Sequence, residues 1–269
     1  MNQDNKKAAI WSLVQSIMDG VMQNVLVNDS FVKKDHYSQR PLFAALVPDE
    51  IFKGSHFERR FVTPFNKVWE ELAVLAANEG LGFGEMGRAI RGTVKTERLR
   101  RIQAVLHSKD FAEPNWDTEI AFILGGKGED IPVTVVCDVY AEDTTNKKRY
   151  AFELKSPTPN SDITKVSKEK ILKLYSMEPL QIDGAYYALP YNPYGRREDY
   201  SWSFPGRWFN MKEDSVVLIS DEFWEKMGGL GTYQAFIEAV NEIGKDYRER
   251  IYREYLEIEP PAHAEQMVL

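Results

Sequence analysis

The chain has 269 residues, 43% of them hydrophobic and 12% aromatic, one cysteine and a net charge of −7. That is ample for a core, and no run approaches the roughly 20 apolar residues that a membrane span needs. A lone cysteine excludes an internal disulfide and fits a reducing, cytoplasmic setting. The histidines His36, His56, His107 and His263 are scattered without ligand spacing, which argues against a structural zinc site.

In chain order, Met1 to Lys7 leads into an amphipathic pattern rather than a signal-peptide core. Ile10, Val14, Ile17, Val21 and Val25 recur at helical spacing, so residues 6–27 are expected as a helix. A loop through Arg40-Pro41 and Val47-Pro48 follows, then Phe61-Val62-Thr63-Pro64-Phe65, then a helix carrying residues 68–76. Gly82, Gly84 and Gly87 have the spacing of a dinucleotide fingerprint. They follow a helix, however, whereas that fingerprint follows a strand and opens a helix. No P-loop ending and no Gly-x-Ser-x-Gly elbow occur either, so no organic cofactor is expected. Thr93 to His107 is expected to be helical, with Leu99, Ile102, Val105 and Leu106 as its apolar stripe. Ile120 to Leu124, before Gly125-Gly126, is expected to be a strand.

Val133 to Tyr140 and Arg149 to Lys155 are β-branched and aromatic, and residues 142–148 between them suit a turn. Centring that turn between Thr145 and Asn146 places Asp138 opposite Glu153, with Cβ atoms about 5 Å apart. Glu153 and Lys155 share one face of their strand, and Tyr150, Phe152 and Leu154 share the other. Two facing carboxylates repel unless a positive charge lies between them. Magnesium would suit Asp138 and Glu153, helped by the Leu154 carbonyl, and Lys155 could orient an attacking water or neutralise a transition state. An ion pair on an exposed hairpin face accounts for the bare pattern equally well. Cys137, inside the strand, is expected to be a buried structural thiol.

Beyond the hairpin, a helix is expected from Ile163 to Met177, strands at 185–189 and 216–219, and a helix from Thr232 to Tyr255. Gly228-Gly229-Leu230-Gly231 suits a turn between helices. Two basic clusters flank the carboxylates. One comprises Arg88, Arg91, Lys95, Arg98, Arg100, Arg101 and Lys109 against Glu97 alone; the other is Lys165, Lys168, Lys170 and Lys173 against Glu169. Each could be a solvated helix face, but their position around the carboxylates points to a polyanion.

Asp138 with Glu153-Leu154-Lys155 resembles the PD-(D/E)xK nuclease signature, with Cys137 where proline is usual. Phe61–Phe65, Pro114-Asn115-Trp116, Ser156-Pro157, Pro159-Asn160, Tyr191–Gly195, Trp202, Phe209-Asn210-Met211 and Phe223-Trp224 with Gly228–Tyr233 extend the likeness. Together they resemble the type II restriction endonucleases of the TdeIII-like group. The resemblance implies an α/β fold, a mixed central sheet flanked by helices, with a helical N-terminal part. It implies a single nuclease domain over residues 1–259, mainly helical to 110, with the core and C-terminal helix at 111–256 and a tail at 260–269. It also implies magnesium-dependent cleavage of double-stranded DNA by a homodimer at a GGNCC-like palindrome. Such enzymes often add an upstream glutamate, here Glu70, with Glu71, Glu58 and Glu119 as alternatives. A G-rich target would draw Arg196, Arg197 and Arg207 of the long loop toward base edges. Lys165, Lys168, Arg98 and Arg101 would meet phosphates. A non-cleaving DNA-binding protein and a less specific repair or RNA nuclease are the rivals.

Overall fold

In the computed structural model, which describes residues 3–261, the N-terminal periodicity becomes helix α1 (Gln3–Gln23) and a π-helical turn over Asn24–Asn28. His263 and residues 262–269 of the expected tail lie outside the described residues. The segment expected as a loop holds two short helices, α2 (Lys33–Gln39) and α3 (Pro41–Leu46). Pro41 opens α3, where its missing N–H would have had no partner. Helix α4 (Asp49–Gly80) carries Pro64 in its interior, so Phe61–Phe65 does not precede a helix but lies within one. A proline there removes one backbone bond. Phe57, Phe61 and Phe65 stack along the same face, with ring centroids 6.1 and 4.4 Å apart, and support the helix through that gap.

The following elements are β1 (Gly82–Met86), β2 (Ala89–Lys95), α5 (Thr96–His107), α6 (Trp116–Leu124), β3 (Asp130–Val136), β4 (Val139–Asp143) and β5 (Lys148–Leu154). Then come α7 (Ser161–Ser176), β6 (Met177–Glu178), β7 (Gly184–Leu189), β8 (Val217–Ile219), α8 (Asp221–Gly228) and α9 (Thr232–Arg250). Residues 93–95, expected as helix, belong to strand β2. Residues 120–124, expected as a strand, belong to helix α6. The Asn115 side chain caps α6 by accepting the Thr118 N–H at 2.9 Å, and Trp116, Glu119 and Ile123 form its buried face. Cap and helical burial outweigh a short apolar run that suits either state.

The described residues divide into two compact units. Residues 3–69 and 235–261 form a helical unit, in which the Tyr247 hydroxyl donates to Asp19 at 2.5 Å and Lys7 pairs with Glu242 at 2.6 Å. Residues 70–234 form the sheet-bearing unit. Strands β1 and β2 group with the sheets, and most of α9 groups with the N-terminal helices.

The larger sheet has the order β1-β4-β5-β7-β8, antiparallel from β1 to β5 and parallel from β5 to β8. The smaller one is β3-β2-β6. The segment expected as one strand, Val133 to Tyr140, is thus split between two sheets at Cys137-Asp138. One antiparallel register nevertheless runs through the split. Gly87 N–H donates to the Asp138 carbonyl at 3.0 Å and Cys137 N–H to the Arg88 carbonyl at 3.2 Å, bridging the β1–β4 and β2–β3 ladders. Gly87 makes the bend with φ of +66°, a conformation that costs other residues about 1–2 kcal/mol. On the larger sheet, α7 covers the Glu153 face of β5. Phe223 of α8 packs on Phe152 of the opposite face, with centroids 5.8 Å apart. No helix among the described residues is long and apolar enough to cross a membrane.

Candidate active site

The bend between β3 and β4 ends at Asp138. Its N–H donates to the Phe152 carbonyl at 3.1 Å, and the next pair inward is Val139 with Phe152. The expected register holds as far as the pair of Val139 with Phe152; Asp138 sits just past it on the same Phe152, with its carboxylate beside the Leu154 N–H. One oxygen of Asp138, Oδ2, accepts the Leu154 N–H at 2.9 Å and the Lys155 ammonium. Lys155 Nζ also reaches Glu153 Oε2 at 3.4 Å and the Leu154 carbonyl at 3.1 Å. Its backbone N–H donates to the Ala188 carbonyl of β7 at 3.0 Å, so the lysine leaves the sheet from a fixed point.

Helix α7 supplies the other side of the cluster. Lys170 Nζ lies 2.8 Å from Glu153 Oε1 and 4.0 Å from Asp138 Oδ1, while the Ser167 hydroxyl donates to Glu153 Oε2 at 3.3 Å. Glu153 is 1% exposed, and burial, followed by the charge of Asp138, raises its pKa above the usual carboxylate range. The two lysines pull it the other way. Asp138, Lys155 and Lys170 remain partly open to solvent. Cys137 is fully buried, and its thiol is pushed up to about 12 by burial and the charge of Glu153, so it is a structural thiol as expected.

The donor set suits a hard divalent cation: two carboxylates and the Leu154 carbonyl, all oxygen. Among the described residues no group of three or more His, Cys, Asp or Glu side chains could hold a metal ion, so solvent or substrate oxygens would complete the shell.

The remaining candidates divide by what holds them. Lys168 and Glu119 are 1% and 2% exposed and paired with each other. The ammonium sits 4.6 Å from the Phe209 ring and 5.1 Å from the Trp116 ring. Burial lowers the lysine's pKa and raises the glutamate's, each opposed by its partner's charge. The expected phosphate contact of Lys168 is thereby corrected, since it has no surface to offer, and Glu119 is committed to it. Glu70 and Glu71 lie half-buried on α4, and Glu58 is exposed on the same helix.

Four arginines expected at DNA bind their own fold. Arg98 donates to the Gly126 and Ser176 carbonyls at 3.2 and 3.1 Å and pairs with Glu178. Arg101 holds Glu97 at 2.7 Å and the Phe122 carbonyl. Arg197 bonds the Met211 and Asp214 carbonyls at 3.0 and 2.7 Å and Glu222 at 3.1 Å. Arg207 bonds the Phe111 carbonyl at 2.8 Å and stacks on Trp208. Lys165 lies beside His107 Nε2 at 3.0 Å, and the Arg196 side chain is 84% exposed. Arg91 and Arg100 are exposed and form no ion pair among the described residues. Sequence reasoning missed Lys170 and Ser167 as members of the site. The signal lay in their spacing of three on α7, but which face meets Glu153 needs the packing of that helix.

A carboxylate pair and a lysine on adjacent strands fit many proteins, and comparison narrows the choice. The family model described as HinfI, type II restriction endonuclease, matches residues 6–244. This chain belongs to that family. It is similar to three type II restriction enzymes of Herpetosiphon aurantiacus. HgiCII is 24% identical over 227 residues, covering 81% of this chain and 82% of that enzyme. HgiBI and HgiEI are 24% and 25% identical over 218 residues, covering 76% of this chain and 77% of each. The HinfI-family chain is thus a site-specific deoxyribonuclease acting on double-stranded DNA, which sets aside the non-cleaving alternative. Type II restriction endonucleases generally use a divalent metal, in keeping with the all-oxygen donor set. The hairpin geometry is consistent with the PD-(D/E)xK superfamily. The TdeIII-like group is a finer assignment than the HinfI match carries.

Proposed function

We propose that this enzyme cuts DNA at Asp138, Glu153 and Lys155, with magnesium held by the two carboxylates. The observation that carries the reading is the convergence of both carboxylates and the Lys155 ammonium in one cluster at the end of the central strand β5, where Asp138 and Lys155 are partly open to solvent. When bound there, magnesium supplies polarisation of a phosphate oxygen and acidification of a water. Leu154 N–H and Lys155 hold Asp138 through Oδ2, leaving Oδ1 available. Ser167 and the lysines hold Glu153 in place at its depth in the sheet. Lys155 stands between the carboxylates, where its charge can orient the attacking water or offset the charge that develops on the phosphorane. Attack in line at phosphorus would leave a 5′-phosphate and a 3′-hydroxyl. Glu70 is our candidate for an added carboxylate from α4.

For recognition we assign phosphate contacts to Arg91, Arg100 and the half-buried Lys165, and a groove contact to Arg196, because cations that reach solvent can exchange it for DNA. Arg207 keeps guanidinium donors beyond its bond to Phe111 and is a further groove candidate. A homodimer acting in the cytoplasm on a GGNCC-like palindrome completes the proposal.

Plasmid DNA incubated with the enzyme, with and without magnesium, tests the reading. Discrete fragments that require magnesium are expected, and sequencing their ends gives the target and the cleavage positions. Smearing would point to a nuclease without site preference, and full activity in Asp138→Ala, Glu153→Ala or Lys155→Ala would overturn the site.

A further inference from the structure

We propose that Lys170 is a built-in counter-ion that keeps the two carboxylates assembled before metal arrives and competes with the metal for Glu153; this rests on the metal-dependent reading above. The cluster has two sides. Asp138 Oδ2 and Glu153 Oε2 face Lys155; Asp138 Oδ1 and Glu153 Oε1 face Lys170. Each carboxylate therefore places one oxygen against each ammonium, and neither lysine alone covers the mutual repulsion of the pair.

The two sides differ in what else anchors them. Lys155 is tied to the Leu154 carbonyl, its backbone is pinned to β7, and its side chain is 17% exposed. Lys170 makes no polar contact among the described residues other than these two carboxylates, and its side chain is 29% exposed. An ammonium bound only to the oxygens that a divalent cation would take, on the more open side, is the one that can be exchanged. Ser167 holds Glu153 Oε2 from the same helix, so the carboxylate keeps its place when Lys170 lets go. Lys170 acts through Glu153 and is a positioning residue, with no direct role in bond breaking required of it.

The competition has a sign that a plain structural clip lacks. Removing a positive charge beside a site for a doubly charged ion strengthens binding of that ion, whereas loosening a merely structural contact weakens it. The test uses the full-length protein without DNA and manganese ions as the probe, with free manganese followed by electron paramagnetic resonance. Lys170→Met is expected to bind manganese about tenfold more tightly than the parent. Lys170→Arg is expected to stay near the parent affinity. Without metal, Lys170→Met is expected to melt below the parent, and saturating manganese to narrow that gap. Lys170→Gln carries the same expectation should Lys170→Met fail to fold. Unchanged or weaker manganese binding in the uncharged variants would overturn the inference while leaving the metal site standing, provided Asp138→Ala abolishes binding to the parent. Parent protein that binds no manganese, or binding indifferent to Asp138→Ala, would overturn the metal-site reading and this inference with it.

Discussion

Lys168 and Lys170 stand two positions apart on α7, about 200° around the helix, and meet opposite fates. Lys168 is enclosed with Glu119 among Trp116 and Phe209, whereas Lys170 reaches the partly open cluster where Asp138 and Glu153 converge. Both are lysine–carboxylate contacts, yet only one can do exchange chemistry. In the enclosed pair there is no room for solvent or substrate, so each charge is bound to its partner for as long as the protein is folded. In the open cluster solvent reaches the ammonium, so a hydrated cation can take its place on the carboxylates. Exposure, more than residue type, separates the structural pair from the candidate catalytic one.

The contrast can be broken in order of size. Replacing Lys155 by Ala should lower the cleavage rate at least about 10³-fold, near 4 kcal/mol of transition-state stabilisation, with a smaller loss of melting temperature as the two carboxylates lose one counter-ion. A rate near the parent's in a quantitative plasmid digest would place the chemistry elsewhere. Lys168→Met should have the opposite profile. It leaves Glu119 buried and unpaired, at a cost of about 3–5 kcal/mol in urea unfolding. Adding Glu119→Leu should recover most of that loss, with cleavage retained in the double variant. If Lys168→Met instead keeps full stability and loses DNA affinity, the enclosed pair is not structural.

Smaller effects sharpen the picture of how Asp138 is placed. Gly87→Val forces a β-branched residue into positive φ at the bend and should cost about 1–2 kcal/mol, with a fall in cleavage as the Asp138 carbonyl loses a well-placed partner. Equal stability of the two proteins by denaturant titration would count against a strained bend. Arg196→Ala, on a side chain that is 84% exposed, should leave stability unchanged. If Arg196 contacts DNA, the slope of log affinity against log salt should shrink by about 1; an unchanged slope would remove it from the interface.

The carboxylate hairpin was legible because its evidence is local. Alternating faces place Glu153 with Lys155, and a short turn sets the partner of every residue near it, which the pairing of Val139 with Phe152 reproduces. Helix α7 and strands β7 and β8 were likewise visible as periodic apolar segments between strong breakers. The split at Cys137-Asp138 was not, since the residues on either side are equally β-prone and only the crossing partner at Gly87-Arg88 shows that the ribbon changes sheet. Residues 120–124 misled for a related reason: a short apolar run fits a strand or a buried helix, and the decision fell to the Asn115 cap and the packing of Trp116. The arginines Arg98, Arg101 and Arg197 carry charge that composition counts as available, but carbonyls brought close by folding had already claimed it.

By itself the sequence determined which side chains could meet across a hairpin, because strand period and turn length are properties of neighbours along the chain. Tertiary structure alone decided which of the α7 lysines reaches that hairpin and which is enclosed, because helix rotation is set by the surfaces packed against it. It also brought Ser167 and Lys170 onto Glu153 from a separate element. A charge's function depends on the solvent and partners around it, and those belong to the packed fold.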